Sequence, residues 1–260
     1  MIPAKLQWWR ETPEGAAWLD RLPRLIEECA DRWGLELEPP FERGNASYCA
    51  PAGAAVLKLN APGWETEHEA DALAHWDGCG AARLLGRDDE RGALLIERLR
   101  PGGQLWGLPD RDADAVAAEV LPQLWSKPAP PDHPFTTLAE AVERWNLDEE
   151  TRESLRRLTA TQGEPVVLHQ DLQGSNVLRS ERGWLAIDPK PLVGEREFDL
   201  ASFVRDRRWE LDPRRIRARL DFLCAELELD RERARLYAIG HARAWGAGDP
   251  QLLACARALS

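Results

Sequence analysis

The chain has 260 residues, of which 43% are hydrophobic and 30% are charged. That composition is ordinary for a globular protein and argues against intrinsic disorder. The formal net charge is −11, which disfavours binding to nucleic acid or to an anionic membrane and is compatible with a cationic substrate.

Apolar runs are too short for a transmembrane helix, and the N-terminal residues contain no secretory signal. The 5 cysteines are scattered without CxxC spacing, which argues against a disulfide framework or a zinc site and fits a reducing compartment. We therefore expect a cytoplasmic protein with no nucleic-acid or membrane partner. The sequence leaves its oligomeric state open.

The first third of the chain predicts a mixed α/β unit. Apolar residues at helical spacing predict a helix over 14–33, and residues 65–77 predict a second one. Short apolar stretches between turn residues predict the strands Leu35–Glu38, Ser47–Ala50, Ala54–Leu59, Ala82–Leu85 and Ala93–Leu99. The turn at 51–53 indicates that the second and third of these strands form a hairpin.

The segment Arg100–Gly103 interrupts this pattern and predicts a hinge. One β island at 166–188 interrupts an otherwise helical remainder. The predicted helices cover 110–125, 136–146, 148–160, 196–209, 213–227, 230–245 and 250–258. We therefore predict an α+β protein of two lobes, a sheet-containing N-terminal lobe over 1–99 and a mostly helical C-terminal lobe over 100–260.

The strongest chemical signal is the stretch HQDLQGSN at 169–176. A short apolar strand leads into it, so Asp171 and Asn176 lie on a loop, and a second apolar strand leads to Asp188. Carboxylate and amide oxygens suit Mg²⁺, which binds through one or two carboxylates together with substrate phosphates. The remaining carboxylate, that of Asp171, can receive the proton of an attacking hydroxyl.

The spacing of these three residues matches the catalytic segment of protein kinases, H-R-D-x-x-x-x-N followed by a metal-binding Asp. Asp and Asn also cap turns in many loops, and a short motif carries a real risk of a false match. Both interpretations stay open on the loop alone.

Two features upstream favour the kinase interpretation. The stretch AVLK at 55–58 is similar to the kinase strand that ends in a phosphate-binding lysine. Glu69 borders the apolar side of its predicted helix, and a carboxylate near the core needs a cation, for which Lys58 is the natural candidate. Glu67 is the competing partner, and the helix face favours Glu69. In kinases such a pair directs the lysine to the α- and β-phosphates of ATP.

With these motifs the chain resembles the aminoglycoside phosphotransferases within the protein-kinase-like fold, and among them the streptomycin 6-phosphotransferase and hydroxyurea phosphotransferase family. The resemblance rests on VLKLN, EHEADALAHWDGCGAARLLGRDDERGALLIERL, HQDLQGSNVL and IDPKPLVGEREFDLA, which together span about residues 44 to 202. It implies a two-lobed enzyme that binds Mg-ATP between the lobes and phosphorylates a hydroxyl of a small molecule.

The resemblance also implies roles for single residues. Asp171 would be the catalytic residue that accepts the hydroxyl proton, and Asn176 and Asp188 would hold Mg²⁺. Lys58 would contact the ATP phosphates, with Glu69 supporting it.

Further implied contacts surround the nucleotide. The loop over it would be Gly44–Tyr48, which includes Ser47 and Tyr48. Asp199 resembles a structural carboxylate that supports the catalytic loop, with a ligand role as the alternative. The backbone that meets adenine would be that of Glu97, Arg98 and Leu99.

The sequence departs from the family pattern in several places. Many relatives have Gly where Gln170 stands and His where Gln173 stands, so Gln173 can alter the acceptor pocket or the geometry of Asp171. No GxGxxG motif is present, and Pro189 and Lys190 follow Asp188 in place of the DFG of protein kinases. Lys190 can reach the γ-phosphate or can be a surface lysine. The lack of an A-P-E motif argues against a protein substrate.

Two hypotheses concern the acceptor. Trp209 and Trp245 can flank it, although tryptophan more often packs in a core or at its rim. Interleaved arginines favour a solvated helix over an acidic pocket for the set Glu195, Glu197, Asp206, Glu210 and Asp212.

The sequence thus predicts a phosphotransferase that uses ATP and Mg²⁺, with a streptomycin-type antibiotic as the leading acceptor. One alternative is a kinase of a cellular alcohol, amino sugar or metabolite, because family membership sets the reaction better than it sets the substrate. The other alternative is a nucleotide-binding pseudokinase. The sequence does not separate ATP from GTP.

Overall fold

The computed structural model describes residues 2–42, 46–206, 212–246 and 248–260. The chain divides into two compact units. Unit 1 comprises Met1–Gly78 and Ala82–Arg100, and unit 2 comprises Cys79–Ala81 and Pro101–Ser260. In the described part of the chain, no helix combines the length and the apolar character needed to cross a membrane.

Unit 1 begins with a 3₁₀ helix, Ala4–Glu11, which the sequence pattern did not predict, followed by helix α1, Pro13–Trp33. The side chain of Thr12 caps α1 by accepting a hydrogen bond from the N–H of Gly15. Gly34 ends the helix in the left-handed conformation that glycine adopts without strain. These end signals explain why the helix predicted over 14–33 is confirmed nearly to the residue.

The framework of unit 1 is a four-stranded antiparallel sheet in the order β1-β2-β4-β3. The predicted hairpin is confirmed, with Ala52 opposite Ala55. The prediction of a strand at Leu35–Glu38 is wrong: this segment has no regular secondary structure, and the N–H of Glu38 bonds to the carbonyl of Pro51. The strands are β1 Ser47–Ala52, β2 Ala55–Asn60, β3 Leu84–Asp88 and β4 Ala93–Glu97.

Helix α2, Glu69–Trp76, is shorter than the helix predicted over 65–77. Turns occupy 64–68, where the hydroxyl of Thr66 donates to the carbonyl oxygens of Ala61 and Gly63. A hydroxyl that satisfies nearby backbone carbonyls competes with helix formation. As a result, α2 begins at Glu69, and this glutamate occupies the first helical position.

Unit 2 contains two small sheets, of three strands in the order β5-β7-β8 and of two strands, β6 and β9. The predicted hinge at Arg100–Gly103 is largely strand β5, and β9 was not predicted because two apolar residues followed by a glycine give no periodic signal. The strands are β5 Pro101–Gln104, β6 Val166–Leu168, β7 Val177–Ser180, β8 Gly183–Ala186 and β9 Leu192–Gly194.

The remainder of unit 2 is mostly helical. In place of the single helix predicted over 196–209, a 3₁₀ turn at Arg196–Asp199 precedes a short α-helix, and 207–209 lie outside the described residues. Aspartate side chains cap the starts of α5, α7, α8 and α9. The helices are α3 Asp110–Leu124, α4 Leu138–Arg144, α5 Glu149–Ala160, α6 Leu200–Val204, α7 Pro213–Glu226, α8 Arg231–Trp245 and α9 Pro250–Leu259.

Candidate active site

Unit 1 holds a buried ion pair. Nζ of Lys58, on β2, lies 2.6 Å from Oε1 of Glu69, the first residue of α2, and the two side chains are 6% and 0% exposed. The start of a helix also favours a carboxylate, because its first N–H groups carry partial positive charge. Glu67 is exposed, so of the two carboxylates considered, the structure pairs Glu69 with Lys58.

Two neutral side chains extend this ion pair. Nδ2 of Asn60 donates to Oε2 of Glu69 at 2.8 Å, and the hydroxyl of Ser47 donates to Oδ1 of Asn60 at 2.6 Å. Both carboxylate oxygens of Glu69 therefore accept a hydrogen bond, which fixes the orientation of the carboxylate and of Lys58. Sequence analysis missed Asn60, although residues two apart on a strand share a face, and Asn60 is two residues from Lys58.

The other residues of unit 1 that were predicted to contact the nucleotide differ in their burial and in their hydrogen bonds. The ring of Tyr48 belongs to the hydrophobic core, and burial raises the pKa of its hydroxyl. The backbone N–H groups of Glu97 and Arg98 donate to the carbonyl oxygens of Arg83 and Ala54. Two of the three backbone donors at Glu97–Leu99 are therefore already used within unit 1. Gly44 and Asn45 lie outside the described residues.

In unit 2, strand β6 leads into the loop that carries Asp171. Oδ1 of Asp171 accepts a hydrogen bond from Nε2 of Gln173 at 2.7 Å. Nδ2 of Asn176 donates to the backbone carbonyl of Asp171 at 2.9 Å and lies 3.4 Å from Oδ2. Because Nδ2 of Asn176 points toward Asp171, Oδ1 of Asn176 points away from Asp171. This oxygen accepts a hydrogen bond from the Ser175 hydroxyl at 3.2 Å.

Backbone hydrogen bonds tie the segment of Asp188 to this loop. The N–H of Ile187 donates to the carbonyl of Asn176 at 2.9 Å, and the N–H of Lys190 donates to that of His169 at 3.1 Å. Nζ of Lys190 lies 3.7 Å from Oδ2 of Asp171. The structure therefore brings together Asp171, Asn176, Asp188 and Lys190, all of which the sequence predicted as site residues.

The donor set can be tested for its fit to a metal ion. No cluster of three or more His, Cys, Asp or Glu side chains with ligand geometry occurs within the described ranges. A transition-metal site would need such a cluster. One amide oxygen and one carboxylate, from Asn176 and Asp188, suit Mg²⁺, which completes its shell with water and phosphate oxygens.

Asp199 holds the start of the loop in place through hydrogen bonds to its backbone. Its Oδ2 accepts hydrogen bonds from the backbone N–H of His169 at 3.1 Å and from Nε1 of Trp125 at 3.0 Å, and its Oδ1 accepts from the N–H of Gln170 at 2.8 Å. The side chain is fully buried. Burial raises the pKa of this carboxyl group, and the donors around it act in the opposite direction. These contacts match the structural role expected for Asp199.

Asp206 holds the same loop further along, and sequence analysis did not find this contact. Its Oδ2 accepts from the backbone N–H of Gly174 and from Nε1 of Trp106, both at 2.7 Å. Asp206 is 1% exposed, so it belongs neither to an acidic pocket nor to a solvated helix face. Its distance of seven residues from Asp199, about two helical turns, is the one signal in the sequence that links the two.

The remaining acceptor hypotheses have mixed outcomes. Glu195 is buried and pairs with Arg233 at 2.6 Å, so it is not part of a solvated face either. Trp245 stacks on His241 with ring centroids 4.2 Å apart and contacts Trp145 edge-on, which is a packing role. Trp209 and Glu210 fall outside the part of the chain that is described.

One cavity of unit 2 lies away from these side chains. It has a volume of about 430 Å³ and is lined by residues that include Trp125, Glu195 and Arg233, but not Asp171, Asn176 or Asp188. Its link to the loop is indirect, through the hydrogen bond from Trp125 to Asp199.

A buried Lys–Glu pair on a small sheet and an Asp–Asn loop followed by a second Asp define a phosphotransferase of the kinase-like class. The chain belongs to the family of aminoglycoside/hydroxyurea antibiotic resistance kinases, which its residues 47–248 match. This membership confirms the predicted family.

Two relatives of known activity illustrate the match. The streptomycin 6-kinase of Streptomyces griseus is 39% identical over 249 residues, which cover 85% of this chain and 80% of the relative. The hydroxyurea phosphotransferase of Kitasatospora aureofaciens is 37% identical over 269 residues, covering 92% of this chain and 77% of the relative.

Solved structures share the fold at lower identity. The choline kinase LicA of Streptococcus pneumoniae superposes with a TM-score of 0.65 at 15% identity and covers 92% of this chain and 99% of that one. The streptomycin–ATP–APH(2")-IIa ternary complex gives a TM-score of 0.59 at 14% identity and covers 91% and 95%. The predicted protein-kinase-like fold is thereby confirmed.

Proposed function

We propose that this protein transfers the γ-phosphoryl group of ATP to a hydroxyl of a streptomycin-type aminoglycoside. The observation that carries the choice of acceptor is the 39% identity to a streptomycin 6-kinase over most of both chains. The net charge of −11 is compatible with such a cationic acceptor. The chemistry is supported by the kinase-type residues Lys58, Asp171, Asn176 and Asp188.

Unit 1, corresponding to the predicted lobe 1–99, would supply the nucleotide contacts. The ammonium group of Lys58 would bind the α- and β-phosphates, held in place by Glu69. Ser47 would support this arrangement through Asn60. Tyr48 would contribute backbone groups, because its ring is in the core. The carbonyl groups of Glu97 and Arg98 and the backbone of Leu99 would meet the base.

Unit 2, corresponding to the predicted lobe 100–260, would supply the catalytic groups and the acceptor site. Asn176 and Asp188 would hold Mg²⁺, which when bound neutralises charge on the phosphates. Asp171 would orient the acceptor hydroxyl and take its proton. Lys190 would stabilise charge on the transferred phosphoryl group, a role that its position 3.7 Å from Asp171 supports.

Hydroxyurea is a second candidate acceptor, because the hydroxyurea phosphotransferase relative is 37% identical, nearly as similar as the streptomycin kinase. Both reactions place a phosphoryl group on a hydroxyl oxygen. They therefore need the same base and metal site and differ in the acceptor pocket.

The test is an acceptor screen coupled to ADP release, with streptomycin, hydroxyurea and no acceptor as parallel arms, and mass spectrometry of the products. We expect phosphorylated streptomycin from the wild-type protein. An Asp171→Asn variant should lose about 10²- to 10⁴-fold in kcat, the usual contribution of a general base, with little change in the KM for ATP.

The matched control is Asp112→Asn, the same chemical change at an exposed position in the first turn of α3, which should leave kcat unchanged. Phosphorylation of hydroxyurea alone would replace the first candidate with the second. ADP release that is independent of every acceptor, or an Asp171→Asn variant with wild-type turnover, would refute the proposal.

A further inference from the structure

We infer that Gln173 is a positioning residue that fixes the carboxylate of Asp171 so that Oδ2 receives the proton, an inference that rests on the function proposed above. Nε2 of Gln173 donates to Oδ1 of Asp171 at 2.7 Å. The contacts to Oδ2 are longer, 3.4 Å to Nδ2 of Asn176 and 3.7 Å to Nζ of Lys190. The two oxygens of this carboxylate are therefore not equivalent.

The backbone N–H and carbonyl groups of Gln173 are both hydrogen-bonded within the loop. Its N–H donates to the backbone carbonyl of Asp171 at 2.8 Å, and its carbonyl accepts from the N–H of Asn176 at 2.8 Å. The loop backbone therefore sets the starting point of the Gln173 side chain relative to Asp171. A donor that is fixed before the reaction begins costs no reorganisation when the proton moves.

The hydrogen bond from Gln173 restricts rotation of the Asp171 carboxylate. The terminal torsion of an aspartate is broad, so an unrestrained carboxylate samples many orientations. A short hydrogen bond to Oδ1 selects one of them and leaves Oδ2 as the less strongly bonded oxygen. In the proposed step Oδ2 takes the proton of the acceptor hydroxyl, the hydroxyl oxygen bonds to the γ-phosphorus, and the bond from that phosphorus to the bridging oxygen of ADP breaks.

The chemical nature of residue 173 sets what each substitution should do. The amide nitrogen of glutamine can only donate, and an ionised carboxylate can only accept, so the two groups are matched. Histidine retains an N–H donor. Glutamate has the same shape as glutamine but places a second carboxylate against Asp171.

The experiment compares Gln173→Glu and Gln173→His by steady-state kinetics, using the acceptor that the wild-type protein phosphorylates. For Gln173→Glu we expect kcat to fall about 10- to 100-fold, as for loss of a hydrogen bond to a charged group. The KM for MgATP should stay within about 2-fold. Gln173→His should keep most of the wild-type kcat. Gln123→Glu, the same change on the exposed surface of α3, should have no effect.

Two activity results would overturn the inference while the proposed function stands: a Gln173→Glu variant with wild-type kcat, or equal losses in both variants accompanied by a lower melting temperature. Crystal structures of the wild type and Gln173→Glu give a readout that needs no acceptor. The Asp171 carboxylate should rotate in the variant, and an unchanged carboxylate would contradict the inference even if the acceptor remained unidentified. A wild-type protein without phosphotransferase activity would instead refute the proposed function.

Discussion

The two units hold their charged groups by different means. In unit 1, Lys58 and Glu69 stand on a strand and at the start of a helix, and they neutralise each other directly. In unit 2, Asp171 stands on a loop whose backbone is held by two buried carboxylates, those of Asp199 and Asp206. Regular elements position a side chain through their own hydrogen bonds, whereas a loop must be fixed by side chains from elsewhere in the fold.

This difference predicts where single substitutions act. In unit 1 the charges themselves are the structural interaction, so removing one partner takes a close counter-ion away from a buried charge. In unit 2 the supporting carboxylates are separate from the groups that would do chemistry. A single substitution should therefore cost the most stability in unit 1, whereas in unit 2 a supporting carboxylate can be removed while the proposed base and metal ligands stay in place.

The largest effect is expected for Glu69→Ala. Removing one partner of a buried ion pair costs about 3 to 5 kcal/mol, because the other charge stays buried and loses its close counter-ion. We expect that loss in the free energy of unfolding, measured by urea denaturation. Glu67→Ala, an exposed carboxylate two residues earlier, should change it by less than about 0.5 kcal/mol.

The double variant Lys58→Met/Glu69→Leu separates stability from function. Replacing a buried ion pair by apolar side chains of similar volume is often neutral, so most of the lost stability should return. Activity with ATP should not return, because Lys58 is the proposed phosphate contact. A double variant that is stable and fully active would show that the pair has no role beyond the fold.

A smaller effect is expected for Asp206→Ala. This change leaves the buried N–H of Gly174 and the half-buried Nε1 of Trp106 without their acceptor, at a cost of about 1 to 3 kcal/mol for the buried group. Because the turn of the loop is then released, kcat should fall about 10-fold while the KM for ATP stays near the wild-type value.

Asp206→Asn is the conservative comparison, since its carbonyl oxygen can still accept from both donors. It should recover most of the stability and of kcat as judged by denaturation and by the ADP-release assay. A loss of equal size in both variants would mean that the negative charge, and not the hydrogen bonds, is what the loop requires.

The same difference explains what the sequence could predict. Asp171, Asn176 and Asp188 follow a fixed spacing that the chemistry requires, and Glu69 follows from the apolar face of a helix, so both were accessible from local patterns. The contact of Asp206 was not, because no periodicity relates Asp206 to Gly174, and for Gln173 the sequence left two roles open, one in the acceptor pocket and one in the geometry of Asp171. Asp206 reaches Gly174 across 32 positions of the chain.

Secondary-structure elements that depend on contacts elsewhere in the fold were likewise not predictable from local sequence patterns. The strand β9 and the 3₁₀ helix Ala4–Glu11 are stabilised by their neighbours in the fold and lack the repeating apolar pattern that marks α1. Helix ends were predicted well where an aspartate or threonine caps them, as at Thr12 and Asp230, because capping is a local interaction.

The smallest effect on stability is expected at Gln170, the residue that precedes Asp171 in the loop of unit 2. Gln170 adopts a left-handed backbone with φ of 63° and is 2% exposed, and its amide has no hydrogen-bond partner among the described residues. Methionine has a similar shape and no amide, so Gln170→Met should raise the free energy of unfolding by about 1 kcal/mol, a modest part of the cost of a buried unsatisfied group. Gln170→Gly would relieve the backbone strain but leave an empty space, so its gain should be smaller. Urea denaturation of both variants decides the point: a Gln170→Met variant that is less stable than the wild type would show that the buried amide stabilises the loop. In that case the loop of unit 2, like the ion pair of unit 1, would depend on a buried polar group for its stability.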